Sequence, residues 1–315
     1  MNFNRFQCQK FIESEINCTD YTKLGEFKDA FKTYSLPKDK LTQFIECSKV
    51  DARDLFYKAS LSFLEATYGI VNRHSSWAIV KLYYSIFYSL RTIMVASGYI
   101  VLKNGTSDIF YLKLEEGAVP KKIKNVKGDH KATIKIFKEL FASSSIINSN
   151  SIEDSHVLDW IMSYRELVNY RINSFIEPEY GYDVIPTLPR SGNEFDTLII
   201  RYIEDEFKSY CFDKQHSMYA TPLVLISEAK RLIVSVCGND IFTADRRMVI
   251  GNIINGMNLT ESRILNDLFL GEDLQADEAD EADEADEADE ADEADEADEA
   301  DEADEADEAD EADQN

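Results

Sequence analysis

Arg165 and Asn169 stand four residues apart in Tyr164-Arg165-Glu166-Leu167-Val168-Asn169-Tyr170-Arg171, so a helix would carry a guanidinium and an amide on one face. That couple can hold a phosphate or a charged partner, because the guanidinium donates through a planar fork that matches two phosphate oxygens. The plainer role for Arg165 is an ion pair with a core carboxylate. His130, in Gly128-Asp129-His130-Lys131, falls in the first turn of a helix that Asp129 would cap. An imidazole is suited to proton transfer near neutral pH, and its plainer role is a hydrogen-bonded structural histidine. Lys121, Lys122, Lys124 and Lys127 form a basic run that could contact phosphate or stand solvated.

Other chemistries lack their residues. No G-x-x-x-x-G-K-[ST] occurs; Gly251 and Gly256 have the spacing, but Met257-Asn258 follows. G-x-G-x-x-G, H-E-x-x-H and G-x-S-x-G are also missing. His74, His130, His156 and His216 form no i,i+3 or i,i+4 pair, so neither a metal site nor a cofactor is expected. The five cysteines contain no C-x-x-C pair and Met1–Arg5 has no apolar export signal, which together predict reduced, mostly buried thiols in a cytoplasmic protein. Residues 77–102 are apolar but broken by Lys81 and Arg91, and the uncharged run 92–102 falls short of the ~18 residues of a membrane span. They predict a buried central helix, and no membrane association.

The chain carries 33 basic and 60 acidic residues, a formal net charge of −27. Residues 276–313 repeat Ala-Asp-Glu and hold 13 Asp and 12 Glu, leaving 35 acids against 33 bases elsewhere. The body is thus near neutral, which excludes a strongly basic nucleic-acid binder at the level of the whole chain. The repeat is expected to be a disordered polyanion that shields a basic patch such as Lys121–Lys127, binds a basic protein partner, or only solvates the chain.

The elements that must position these residues read as helices. Expected helices cover Asp20–Tyr34, Lys38–Ser48, a longer one opening at Asp51, one from Ser75 or Ser76 to Ser97, and Gly128–Ala142. Within 75–97 a large stripe (Ile79, Tyr83, Ile86, Leu90, Ile93) and a small one (Ala78, Ser85, Ser89, Thr92, Ala96) predict the centre of a bundle, with Lys81 and Arg91 reaching outward or meeting a carboxylate. Gly98–Gly128 reads as a long irregular loop. Ser151-Ile152-Glu153-Asp154 reads as a capping box, and Pro178, Gly181, Pro186, Pro189 and Gly192 mark a linker. Helices are expected again near 194–213, 222–237 (with Thr221-Pro222 as N-cap and first turn), 243–255 and 260–270. The organisation is therefore an N-terminal helical extension (1–49), a helical bundle (50–176), a C-terminal helical region (190–271) and the acidic tail (272–315).

Trp77-Ala78-Ile79-Val80-Lys81 followed by Tyr83-Tyr84, Phe87 and Arg91, then Gly128-Asp129-His130-Lys131, then Arg165 with Asn169-Tyr170, resembles in order and spacing the HEPN superfamily, in the branch with a Tyr-Tyr pair on its second helix. The resemblance covers about residues 50–176. It implies an all-α, antiparallel up-and-down bundle, usually dimeric, to which the additional helices and the tail are attached. It also implies action on RNA in a prokaryotic defence or toxin–antitoxin setting, with metal-independent endoribonuclease activity in many members and binding or assembly roles in others. Nuclease members carry an Arg and a His four to six residues apart at the dimer interface. Arg165 matches the Arg, but Tyr170 and Arg171 stand where the His is expected. The site residues the resemblance implies are Arg165, Asn169, Tyr170 and His130 for chemistry, and Lys121, Lys122, Lys124, Lys127 and Arg171 for RNA. The alternative is a non-catalytic helical adaptor whose polyanionic tail modulates a basic partner.

Overall fold

The first helix, α1 (Gln7–Glu15), takes its N-terminal partner from a distant part of the chain. In the computed structural model the Asp51 carboxylate accepts from the backbone N–H groups of Gln7 (2.6 Å) and Cys8 (2.9 Å), where the helix dipole favours an anion. The structure describes residues 5–105, 108–177 and 182–271. The Ala-Asp-Glu repeat, with Pro178 and Gly181 of the expected linker, lies outside them. The described residues to Phe269 make one compact unit.

A 3₁₀ segment (Tyr21–Phe27) leads into α2 (Lys28–Thr33). The two helices expected on either side of Lys49-Val50 are one, α3 (Lys38–Val71), because neither Gly nor Pro interrupts residues 38–68. Helix α4 (Ser75–Ala96) packs along α3. Its start is held by Glu177, whose carboxylate accepts from the Ser76 backbone N–H and from the Ser76 hydroxyl (2.5 Å).

The fold is largely helical, but Gly98–Gly128 is not the irregular loop expected. Strands β1 (Tyr99–Asn104) and β2 (Asp108–Lys113) pair antiparallel, Tyr99 opposite Lys113 and Asn104 opposite Asp108, and β3 (Lys121–Lys122) pairs with β2. The hairpin is written in Tyr-Ile-Val-Leu and Ile-Phe-Tyr-Leu, β-branched and aromatic residues on either side of Asn104-Gly105. Ile100, Leu102, Phe110 and Leu112 enter the core.

Helix α5 (Asp129–Leu140) follows. The expected capping box is instead a second hairpin, β4 (Ser151–Ile152) and β5 (Ser155–His156), turning through left-handed Glu153 (φ 48°) and Asp154 (φ 60°). Asp154 is among the few residue types that take up positive φ readily and Glu153 follows it into the tight turn, and the helix starts later, as α6 (Val157–Glu166), capped by His156 Nδ1 accepting from Leu158 N–H (3.2 Å). Burial and Lys138 bring the His156 pKa down to about 4. The unfolded chain, with a His pKa near 6.5, binds the proton first, so stability should fall as pH drops from about 6.5 towards 4, by about 3 kcal/mol when complete. Urea midpoints at pH 7.5 and 4.5 test this; His156→Gln should flatten the difference, and an equally steep fall in that variant would count against it.

The remaining helices are α7 (Gly192–Glu204), α8 (Ser217–Cys237), α9 (Ala244–Gly256) and α10 (Arg263–Phe269). Thr221-Pro222 does not open α8, which begins five residues before Pro222. The hydroxyls of Ser217 and Thr221 turn instead to the Cys211 carbonyl (2.7 and 3.5 Å). Helix α8 packs on both α4 and α3, so α4 lies at the centre, as its two stripes predicted. All five large-stripe residues are buried. Lys81 meets Glu65 (2.9 Å), but Arg91, against expectation, is buried with no carboxylate partner among the described residues. Its guanidinium lies over the Phe6 ring (4.8 Å from the centroid), a site its own helix does not reveal.

The hydroxyls of Ser85 and Ser89 are buried without a hydrogen-bond partner. An unsatisfied buried hydroxyl costs about 1–3 kcal/mol, so Ser85→Ala should stabilise the protein by about 1 kcal/mol, read as a higher urea midpoint. A lower midpoint would show that the hydroxyl has a partner in solution.

Candidate functional site

Adjacent positions on α4 send Tyr83 inward and leave Tyr84 half-buried. The first turn of α5 brings His130 onto this surface, its ring 4.4 Å from that of Phe87 and 5.6 Å from that of Tyr84. The Tyr83 hydroxyl and His130 Nδ1 are hydrogen-bonded at 2.9 Å. From the last turn of α6, Arg165 reaches the same place and its Nη2 donates to the Tyr84 hydroxyl (3.2 Å). Thus His130 and Arg165, on different helices, meet across the paired tyrosines.

Beyond α6 the chain widens into a π-helical turn, Leu167–Arg171, with Ile172 N–H bonded to the Leu167 carbonyl five residues back (3.1 Å). A π turn aligns residues five apart rather than four. It therefore sets Tyr170 beside Arg165, with the guanidinium 5.3 Å from the ring centroid, and not Asn169. Asn169 is half-buried and makes no side-chain hydrogen bond among the described residues. Tyr170 is 70% exposed, so the cluster opens to solvent on this side.

Arg165 has no carboxylate partner among the described residues. Its neighbour Glu166 pairs with the exposed Arg171 (3.8 Å), while the guanidinium lies against the rings of Tyr83, Tyr84 and Tyr170 and its Nε is buried without a partner. Burial opposes its charge, but the Tyr84 hydrogen bond and the surrounding phenols outweigh it and hold the pKa above the usual value. His130 moves the other way: burial first, then Arg165, lower its pKa. The imidazole is neutral at pH 7, and in the tautomer that donates Nδ1–H to Tyr83 its Nε2 lone pair is free to take a proton. Burial raises the Tyr83 pKa, so that phenol stays protonated.

The lysines stand apart from this cluster in role. Lys121 and Lys122 are exposed on β3, and Lys122 is held by Asp108 (2.6 Å). Lys124 and Lys127 are exposed in the segment that Ile123 anchors and that runs directly into α5. Among the described residues no group of three His, Cys, Asp or Glu side chains is placed to hold a metal ion, and no helix is long and apolar enough to cross a membrane. All five cysteines are free; Cys8, Cys18 and Cys211 are buried.

Sequence reasoning singled out Arg165, Tyr170 and His130 but not Tyr84 as the bridge between them. The signal available was its place in the Tyr83-Tyr84 pair. Compared with family models, with curated proteins and with solved structures, the chain matches none.

Proposed function

We propose that the protein acts on RNA at the Tyr83–Tyr84–His130–Arg165–Tyr170 cluster, as a metal-independent endoribonuclease of the HEPN type, in a prokaryotic defence or toxin–antitoxin setting. The observation that carries this reading is the meeting of a neutral imidazole and a guanidinium free of carboxylates across two tyrosines. In this scheme His130 replaces the histidine absent from the last helix. Its Nε2 takes the proton of a ribose 2′-OH, the 2′ oxygen bonds to phosphorus, and the bond to the 5′ oxygen breaks, that oxygen taking a proton from water. Arg165 stabilises the charge gathering on the phosphoryl oxygens, and the exposed Tyr170 ring offers a face on which a base can stack. Lys121, Lys124, Lys127 and Arg171 then add phosphate contacts along the strand.

A homodimer fits the same reading. Trp77 (52% exposed) contacts Phe175 (ring centroids 5.5 Å), and Leu167 and Tyr170 are exposed on the segment between Arg165 and Phe175. The test is purified full-length protein incubated with total RNA in EDTA, followed by end-group analysis. Fragments ending in 2′,3′-cyclic phosphate are expected; RNA left intact and unbound at low salt ends the proposal.

A second reading, a non-catalytic adaptor, is favoured by exposed apolar residues elsewhere: Phe207 (71%), Met248 (62%) and Val249 (42%). On that reading Arg165→Ala keeps full cellular activity while Met248→Asp abolishes it.

A further inference from the structure

A cavity of about 440 Å³ opens between the end of α4, helices α5 and α8 and the 3₁₀ turn Ile146–Asn148. Its wall is largely apolar. Ile93, Phe137, Ile147 and Leu225 are buried there, and Phe141 and Leu232 are half-buried. The volume falls in the range of small-molecule sites, roughly 300–1,000 Å³. None of the residues lining it belongs to the Arg165 cluster.

The charged side chains that line the cavity are Lys208, Arg231 and Glu228. Glu228 is committed, because its carboxylate accepts from Arg231 Nε (3.1 Å) and Nη2 (2.8 Å). Lys208 and one positive charge are left over. Lys208 is half-buried in the turn after α7, in the left-handed backbone region (φ 50°) that a lysine keeps only where its surroundings hold it. Asp205, in the same turn, turns its carboxylate to the backbone N–H groups of Phe207 and Ser209. The Lys208 ammonium donates to the Ile203 carbonyl, which uses one of its three donors, and it pairs with no carboxylate among the described residues. A half-buried ammonium beside an apolar wall is stabilised by an anion. One unmatched charge suits a monoanion, and Ile93, Phe137 and Leu225 suit an apolar body, since they offer a phosphate or a sugar no hydrogen-bond partner.

We propose that this cavity binds a medium-chain fatty acid. The carboxylate pairs with Lys208, and the alkyl chain lies against Phe137, Phe141 and Leu225. The site goes beyond the RNA reading and does not depend on it.

Titration of the full chain with butanoate, hexanoate, octanoate and octan-1-ol tests it. Affinity should rise about fourfold per methylene from butanoate to octanoate, the equivalent of about 0.8 kcal/mol for each methylene buried. Octan-1-ol has the chain without the charge, so it should bind at least about tenfold more weakly than octanoate, lacking the charge-assisted hydrogen bond. Lys208→Met should weaken octanoate by about tenfold or more and leave octan-1-ol within about twofold, a split that a general disturbance of the cavity would not produce. If that variant does not fold, Leu232→Trp decides: it fills the cavity from a half-buried position and should weaken octanoate by about tenfold or more. No binding of octanoate at millimolar concentration, no gain with chain length, equal affinity for octan-1-ol, or unchanged octanoate affinity in whichever variant folds overturns the proposal.

Discussion

Arg165→Ala is expected to slow RNA cleavage by about 10²–10³-fold, the usual loss when a preorganised donor to a transition-state oxyanion is removed. Arg165→Lys should recover little of it, since an ammonium cannot reproduce a fork that donates to Tyr84 while facing a phosphate. His130→Gln should cost about 10²–10⁴-fold by removing the proton acceptor. The two losses should not multiply in the double variant, because groups acting in one step are not independent. The pH profile carries the sign of the His130 shift: a base with a lowered pKa is already deprotonated below pH 6.5, so cleavage should rise with pH and level off on the acid side of that value. Single-turnover rates on a short RNA measure all of this. A wild-type rate in either single variant would remove the cluster from the chemistry.

Residues 50–176 produced alone are expected not to fold, although the resemblance in the sequence stops there. Helix α8 buries Met218, Tyr219, Leu223, Leu225, Ile226 and Ile233 against the body, and cutting it away would bare the α4 face it covers. Tyr219 shows the scale. It is fully buried, its ring lies 5.1 Å from that of Phe63 and 6.4 Å from that of Tyr202, and its hydroxyl is 2.9 Å from the Thr67 hydroxyl. Tyr219→Ala should cost about 3–5 kcal/mol, a large share of the 5–15 kcal/mol that holds a typical domain. Tyr219→Phe should cost only about 1 kcal/mol, because Thr67 still bonds the Phe63 carbonyl (3.0 Å). Urea unfolding followed by circular dichroism distinguishes the cases. A cooperative transition in the isolated 50–176 piece would show that the C-terminal helices are an accessory rather than part of the core.

Much of the helical framework was legible from spacing. The stripes of α4 identified a helix surrounded by others, and Lys81 meets a carboxylate, one of the two outcomes expected of it. The misses share a cause. Lys49-Val50 looked like a break and is not one, and Gly98–Gly128 looked irregular because turn residues drew attention from the short alternating strands between them. Ser151–Asp154 has the letters of a capping box, but the same residues make a two-residue turn when a strand pairs back on itself. Arg91 sits on a helix whose pattern says nothing about a phenylalanine from the chain's first turn closing over it.

Most of the helical stretches and their apolar faces were set by sequence alone, as was the placing of nearly all the net negative charge in one repeat while the body stays close to neutral. Only tertiary structure decided that Tyr170 rather than Asn169 stands beside Arg165, that His130 arrives there from another helix, and that Arg91 is sealed in without an ion-pair partner among the described residues. The physical reason is that helical periodicity depends on neighbours three or four residues away. The meeting of residues 35 positions apart, such as His130 and Arg165, depends on how whole elements pack, and one widened turn is enough to change which side chain faces the site.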